Sequence, residues 1–385
     1  MNTPSPKAGG AGASLPTILV MAGGTGGHVF PALALARLLR SQSFEVVWLG
    51  TQRGLESRVV PKESIPIEWL SVGGLRGKGV LTLLAAPFRL AHALVQALGI
   101  VRRRKPIVVV GLGGFVTGPG GVAAWLTGRP LLIHEQNAIA GFTNRCLARL
   151  AREVLEAFPN SFGRDVKARV IGNPVRQDIS AVAPPADRFA GRNGPLRILV
   201  IGGSQGATKL NAVVPYALAR LRSIGAGANG AGGSALAIDV RHQAGERWID
   251  SARQTYASAG VRADVRPFIE DMAEAYSWAD LVICRSGALT VSELAAVGVG
   301  AVLVPFPAAV DDHQTHNARY LVSEGAAILI ADRDLTAERL ADELQSLCAG
   351  RGRLLAMAER ARLLAKPHAA EELAASCIEL ARRAA

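Results

Sequence analysis

Short apolar runs alternate with longer Ala- and Leu-rich stretches along the whole chain, and this alternation constrains the fold more than any other feature. Candidate strands fall at 18–21, 45–49, 107–110, 131–134 and 153–157, then at 197–201, 237–242, 261–266, 281–284, 301–305 and 326–330. Strands that take turns with helices in this way imply βαβ units and parallel sheets.

The pattern starts twice. Residues 17–39 read TILVMAGGTGGHVFPALALARLL, and residues 197–221 read RILVIGGSQGATKLNAVVPYALARL. Each is a strand, a glycine turn and a helix, so each opens a Rossmann-like half. A Pro-, Gly- and Ala-rich stretch at 181–196 reads as the linker between them. A chain of 385 residues is also long enough for two domains, given about 150 residues for each. The expected division is a flexible leader over 1–16, one domain over 17–185 and a second over 186–385. Residues 223–234 read as a low-complexity Gly/Ala loop, and the chain from 337 onward reads as helical, with a last helix that packs back on the first domain.

Composition excludes several classes. Hydrophobic residues make up 49% and charged residues 19%, the reverse of a disordered chain. Cys146, Cys284, Cys348 and Cys377 show no CxxC spacing, and read as reduced, buried thiols of a cytoplasmic protein. The first fifteen residues lack the apolar core of a signal peptide. The window 80–101 has nearly the length of a membrane span, but Pro87, Arg89, His92 and Gln96 interrupt it. Arg89, His92, Gln96 and Arg103 form one stripe of a helix, with Phe88, Leu90, Leu94, Val95 and Leu98 opposite and Pro87 in the first turn. Such a helix fits a core with a solvated basic face, or an anionic membrane surface. Arg76, Lys78, Arg89 and the basic run 102–105 cluster about it and favour the membrane. The net charge of +12 is the sole argument for nucleic acid, and aromatic residues for base stacking amount to 5%.

The glycine turns bound the ligand class. Neither is GxGxxG, no acidic residue ends the second strand, and no P-loop is present, so dinucleotide and Walker-type readings fail. A sugar, phosphate or nucleotide contact remains. Three further loops follow candidate strands, GLGGFVTGPGG at 111–121, HEQN at 134–137 and RSGALTVSE at 285–293, and a fourth, GNPVR at 172–176, follows the apolar run ARVI. Carboxyl ends of parallel strands are where such folds bind ligands, and two facing domains put the ligand in the cleft between them. After Ser286 and Gly287, free helix amides suit a diphosphate, and Glu293 suits two ribose hydroxyls or simply the helix dipole. His28, at the end of the first glycine turn, suits a general base or a packing role. Glu135 is the rival base, or else a capping acid. In PFPAAVDDHQTHN (305–317), His313 and His316 beside Asp311 and Asp312 lack HExxH spacing and a third ligand, so no metal site is expected. The DxD at 332–334 sits in a turn and is discounted.

Taken together, GGTGGHVFPALALA, GLRGKG, GGFVTGPGG, HEQNAIAGFTNR, GNPVR, GGSQGA, FIEDMAEAYSWADLVICRSGALTVSE and DDHQTHNA run in order from about residue 17 to the C-terminus. They resemble the MurG family of bacterial peptidoglycan glycosyltransferases. The resemblance implies a GT-B fold, two Rossmann-like domains with parallel sheets around a ligand cleft, the first for the acceptor and the second for the donor. It implies metal-independent, cofactor-free transfer of N-acetylglucosamine (GlcNAc) from UDP-GlcNAc to the muramoyl C4 hydroxyl of lipid I, with inversion, giving lipid II. The setting it implies is peripheral, on the cytoplasmic face of the inner membrane, with anionic lipid met by segment 74–105 and other cell-wall or division proteins as partners. Carried over by motif, donor contacts are Thr25, Gly26, Gly27, Asn137, Arg176, Ser204, Ile269 (to uracil, through its backbone), Ala288, Leu289, Thr290, Val291, Ser292, Glu293 and Gln314. His28 and Glu135 would lie near the acceptor hydroxyl. Family members often carry two Gln where this chain has His313 and Gln314, which makes Gln314 the safer contact. Other GT-B enzymes, epimerases and glycolipid synthases among them, share the SGALTVSE-like donor half but have no need of GLRGKG with HEQN.

Overall fold

A computed structural model describes residues 15–73, 86–203, 206–228, 237–348 and 350–384. The first sheet contains β1 (Thr17–Met21), β2 (Glu45–Gly50), β3 (Ile67–Trp69), β4 (Val108–Gly111), β5 (Leu131–Glu135), β6 (Glu153–Glu156) and β7 (Arg169–Val170), in the order β3-β2-β1-β4-β5-β6-β7. The second contains β8 (Leu196–Ile201), β9 (Ile238–Gln243), β10 (Asp264–Arg266), β11 (Leu281–Cys284), β12 (Gly300–Leu303) and β13 (Ala327–Leu329), in the order β10-β9-β8-β11-β12-β13. All pairings are parallel, and the strand order reverses direction beside β1 and again beside β8. Those reversals open crevices at the carboxyl edges of the two sheets.

Seven helices matter for the site: α1 (Gly26–Ser41), α2 (Ala86–Arg104), α3 (Thr117–Leu126), α4 (Thr208–Ala228), α5 (Ala288–Val297), α6 (His313–Val322) and α7 (Ala369–Ala384). The period-two direction of strand side chains divides each sheet's core in two. Ile18 and Val20 of β1 pack with α1 and with Leu373, Cys377 and Leu380 of α7, while Leu19 and Met21 pack on the other face with Ala97 and Val101 of α2 and Ala123 of α3. In the second sheet Ile198 and Val200 face α4, and Leu199 and Ile201 face α5. The last helix thus lies on the first sheet, although the strands before it belong to the second. Its buried Leu373 alone is worth about 1.5–3 kcal/mol in apolar burial.

Four details depart from the sequence reading. β3 has no apolar run, because Glu68 occupies its centre, and it was not expected. The Gly/Ala stretch from 223 continues α4 as far as Ala228, with 229–236 outside the described residues. Cys146 is exposed, whereas Cys284 and Cys377 are buried as free thiols. The apolar face of α2 is also rotated from the expected one: Ala93, Ala97, Ile100 and Val101 are its buried residues. Leu94 and Leu98 flank that core, while Phe88, Leu90 and Val95 are 79%, 53% and 67% exposed. Of the expected polar stripe, Gln96 accepts from Ser71 N at 3.0 Å and Arg103 donates to Glu68 at 2.7 Å, so the segment before the helix ties down one edge. Residues 74–85, with Arg76 and Lys78, lie outside the described residues.

Candidate functional site

The turn after β1 is built from below by Glu56. This carboxylate is fully buried and accepts from Gly24 N at 2.9 Å, Thr51 N at 2.9 Å and Thr51 Oγ1 at 2.8 Å. From the side it is closed by the loop after β4, where Gly113 and Gly114 have φ of 104° and 87°. A Cβ on Gly114 would come within 2.5 Å of Gly23 O, and one on Gly113 within 2.6 Å of His28 Nδ1. The double glycine is therefore what lets the two loops touch. Thr25 begins α1 without a side-chain cap and no acid stands in the first turn, so the amides of Gly26 and Gly27 keep their attraction for an anion.

His28 is half-buried beside that turn, with Nδ1 2.9 Å from Gln136 Oε1. Glu135 has a different setting. It is buried, and its carboxylate accepts from Asn137 N at 2.9 Å, Asn137 Nδ2 at 3.2 Å, Gly141 N at 3.1 Å and Asn144 Nδ2 at 2.9 Å. Four donors fill the lone pairs of one carboxylate, which makes Glu135 the organiser of the HEQN loop.

The second half meets this loop directly. Asn173 Nδ2 donates to Gln136 O at 3.0 Å and to Ser292 Oγ of α5 at 3.1 Å. A second junction runs from Asn137 through Asn317 of α6 to Ser286 O. Ser286 Oγ donates to Gln314 O at 2.8 Å, and Gln314 Oε1 accepts from Phe306 N at 2.9 Å, so the turn before α5 is held from behind. α5 itself begins at Gly287 with no side-chain cap and no acid in its first turn. That leaves its positive end open to an anion.

Of the six consecutive α5 positions expected at the donor, a 3.6-residue period lets only some face a ligand. Val291 is fully buried and Ala288 nearly so, both in the core, so these two can offer a ligand only their backbone. Leu289, Thr290, Ser292 and Glu293 are half-buried. Loss of water pushes the Glu293 carboxyl up to about 7, against the opposing pull of the Tyr276 hydroxyl, which donates to it at 2.9 Å, and of the Arg176 guanidinium. Arg176 is exposed, 3.9 Å from Asp178. Ile269 is buried, and its N–H already donates to Gln243 Oε1 at 2.9 Å, so its carbonyl is the backbone group without such a bond among the described residues. Ser204 lies outside the described residues. His313 is half-buried at the start of α6. Among the described residues no three His, Cys, Asp or Glu side chains come together as metal ligands would, and Asp332 of the DxD accepts from Arg285 at 2.5 Å.

Sequence reasoning did not give roles to Glu56, Gln136, Asn173, Gln243, Tyr276 or Asn317. Gln136, Asn173 and Asn317 stood inside the quoted motifs, so the signal was at hand. Gln243 had a fainter one, a polar residue closing a strand that points into the cleft.

Two family models match the chain, the glycosyltransferase family 28 N-terminal domain over residues 18–156 and the family 28 C-terminal domain over residues 197–373. A relative from Alkalilimnicola ehrlichii is 57% identical over 365 residues, covering 95% of this chain and 99% of its own. Another, from Marinobacter nauticus, is 55% identical over 363 residues, covering 94% and 97%. The chain belongs to the MurG branch of glycosyltransferase family 28. Both relatives are named UDP-N-acetylglucosamine–N-acetylmuramyl-(pentapeptide) pyrophosphoryl-undecaprenol N-acetylglucosamine transferase. A crystal structure of MurG from Acinetobacter baumannii superposes with a TM-score of 0.82 at 43% identity, covering 94% of this chain and 99% of that one. The GT-B architecture expected from the motifs is thus the observed one, two parallel Rossmann-like sheets whose loop edges meet.

Proposed function

We propose that this chain transfers GlcNAc from UDP-GlcNAc to the C4 hydroxyl of the muramoyl residue of lipid I, forming lipid II by a single inverting displacement. The observation that carries the reading is the junction itself. His28 on the acceptor side stands three hydrogen-bonded contacts from Ser292 on the donor helix, through Gln136 and Asn173.

In this reading the uracil meets the Ile269 carbonyl, Glu293 accepts from the ribose hydroxyls, and the open ends of α5 and α1 receive the diphosphate. Ser204, Thr25, Arg176 and Gln314 border the same ligand, and Asn137 positions the loop between donor and acceptor. Negative charge develops on the diphosphate as the anomeric bond breaks, and fixed amides stabilise it without a metal or cofactor. His28 takes the hydroxyl proton, since Glu135 has its lone pairs engaged. Release of UDP from UDP-GlcNAc, followed with and without a lipid I analogue, tests the reading. Acceptor-dependent UDP release is expected, and release that ignores the acceptor would sink it. His28→Ala should lower kcat by about 10²–10⁴-fold with the donor KM retained.

The reading extends to the inner membrane's cytoplasmic face. No helix among the described residues is long and apolar enough to cross a membrane. Phe88 and Val95, seven residues apart on α2, share one exposed face with Arg102, and Arg89 and Leu90 near the start of α2 and Trp125 and Leu126 on α3 are exposed as well. Such a surface suits peripheral docking on anionic lipid, where the acceptor and other cell-wall synthesis proteins are met.

A further inference from the structure

The assignment of His28 as base leaves open which ring nitrogen carries its proton, and the hydrogen bonds behind it decide the matter from the far end. His134 Nε2 lies 2.9 Å from Gly172 O. A carbonyl only accepts, so this nitrogen is protonated. His134 is fully buried, and burial pushes its pKa down to about 4, so near neutral pH its ring is uncharged and Nδ1 is bare. The Gln136 side-chain amide donates to that Nδ1 at 3.0 Å and to the His134 carbonyl at 3.1 Å, a second group that can only accept. Two acceptors thereby fix the amide's NH₂ end, and its oxygen is left facing His28 Nδ1 at 2.9 Å. An amide oxygen also only accepts, so the proton of neutral His28 sits on Nδ1.

We propose that Gln136 and His134 are positioning residues that lock His28 in its Nδ1–H tautomer and so leave Nε2 bare to receive the proton of the acceptor hydroxyl. The proposal rests on the reading of His28 as the base. Among the described residues nothing else hydrogen-bonds the His28 ring, whose Nδ1 edge is the one that faces Gly113. The step balances: the hydroxyl oxygen bonds to the anomeric carbon, the bond from that carbon to the diphosphate breaks, and the hydroxyl proton moves to Nε2. The resulting imidazolium still donates from Nδ1 to Gln136, so no bond of the relay has to reverse. A neutral amide orients the ring here, where a carboxylate does so in serine hydrolases.

The test begins with the unaltered protein, so it does not depend on any variant's folding. Nitrogen-15 NMR of histidine-labelled protein, at alkaline pH where imidazoles are neutral, should show His28 with a pyrrole-type Nδ1 and a pyridine-type Nε2, its signals identified by their loss in His28→Ala. A pyrrole-type Nε2 would overturn the lock, whereas the base assignment is judged separately by the kcat of His28→Ala. Gln136→Met keeps the volume and removes the acceptor. It should release His28 to mixed tautomers and lower kcat by about 10²-fold, with the donor KM within about twofold. Gln136→Glu retains an oxygen that accepts from Nδ1–H, and should keep the tautomer and recover part of kcat. The double variant His28→Ala/Gln136→Met should be no slower than His28→Ala, because Gln136 acts through that ring. Additive losses would overturn the positioning role, and full kcat in His28→Ala would overturn the base assignment beneath it.

Discussion

Asn317 Nδ2 lies 3.2 Å from Asn137 Oδ1, a hydrogen bond between residues 180 positions apart. The same side-chain amide donates to Ser286 O at 3.2 Å and accepts from Ala138 N at 2.8 Å, and Asn317 is fully buried. One amide therefore ties the HEQN loop of the first sheet to the turn that opens the donor helix of the second. Asn317→Ala leaves Ala138 N–H and Ser286 C=O without that partner, at a cost of about 1–3 kcal/mol. The expected result is a lower urea midpoint and weaker UDP binding by calorimetry. Unchanged values for both would show that the junction has no bearing on donor binding.

Glu293 should give donor binding a pH dependence of definite sign. A carboxylate that accepts from ribose hydroxyls must be ionised, and burial holds this one at about 7, above its ordinary 4.5. The donor KM should therefore rise as pH falls through about 7. Stability of the ligand-free protein follows from the same shift. Between 4.5 and about 7 the folded state holds a proton that the unfolded state has released, so this group's contribution to stability falls as pH rises across that window. Glu293→Gln should have a high donor KM at every pH and lose both trends. KM profiles with denaturant melts across the window check it, and a flat wild-type profile would remove Glu293 from the ribose.

The sheets were legible in the chain because their central strands are buried on both faces and read as unbroken apolar runs, ILVM at 18–21 and LVIC at 281–284 being examples. β3 was not, since a three-residue edge strand carrying Glu68 has neither run nor alternation. Motif residues placed the cleft, yet which face of each element meets it depends on helix rotation. Val291 went into the core, and Glu135, adjacent to His134, was drawn into its own loop by four donors. Phe88, Leu90 and Val95 were read as one apolar side with Leu94 and Leu98. Small residues, Ala93 and Ala97, took the core position instead, because α2 packs closely against α3.

Gly114→Ala tests the contact between the two loops at the acceptor side. The added Cβ meets Gly23 O at 2.5 Å on a backbone with φ of 87°, so the turn leading to His28 has to move. Gly128 offers a control, because its φ is 67° and nothing lies within 4 Å of a Cβ there. Both variants carry strain of about 1–3 kcal/mol from the left-handed backbone. Only Gly114→Ala should also lower kcat well beyond its loss of stability, as read by turnover at temperatures where both remain folded. Equal kcat in the two would show that the close approach of the loops does not serve the reaction.

The membrane surface is tested best at residues the fold does not need. Phe88 is 79% exposed and Val95 67%, so Phe88→Asp and Val95→Asp remove little packing. Burying such a side chain in a lipid interface is worth about 1.5–3 kcal/mol, so each change should weaken binding to anionic vesicles by about tenfold or more. Leu98→Asp instead puts a charge into the core beneath α2 and should lower the melting temperature. Arg89→Glu and Arg102→Glu should weaken binding as well, with a reduced response to salt, because the attraction they supply is screened within about 8 Å at physiological ionic strength. Vesicle co-sedimentation at low and high salt checks the set. Full binding of the Phe88→Asp/Val95→Asp double variant would place the membrane contact elsewhere on the molecule.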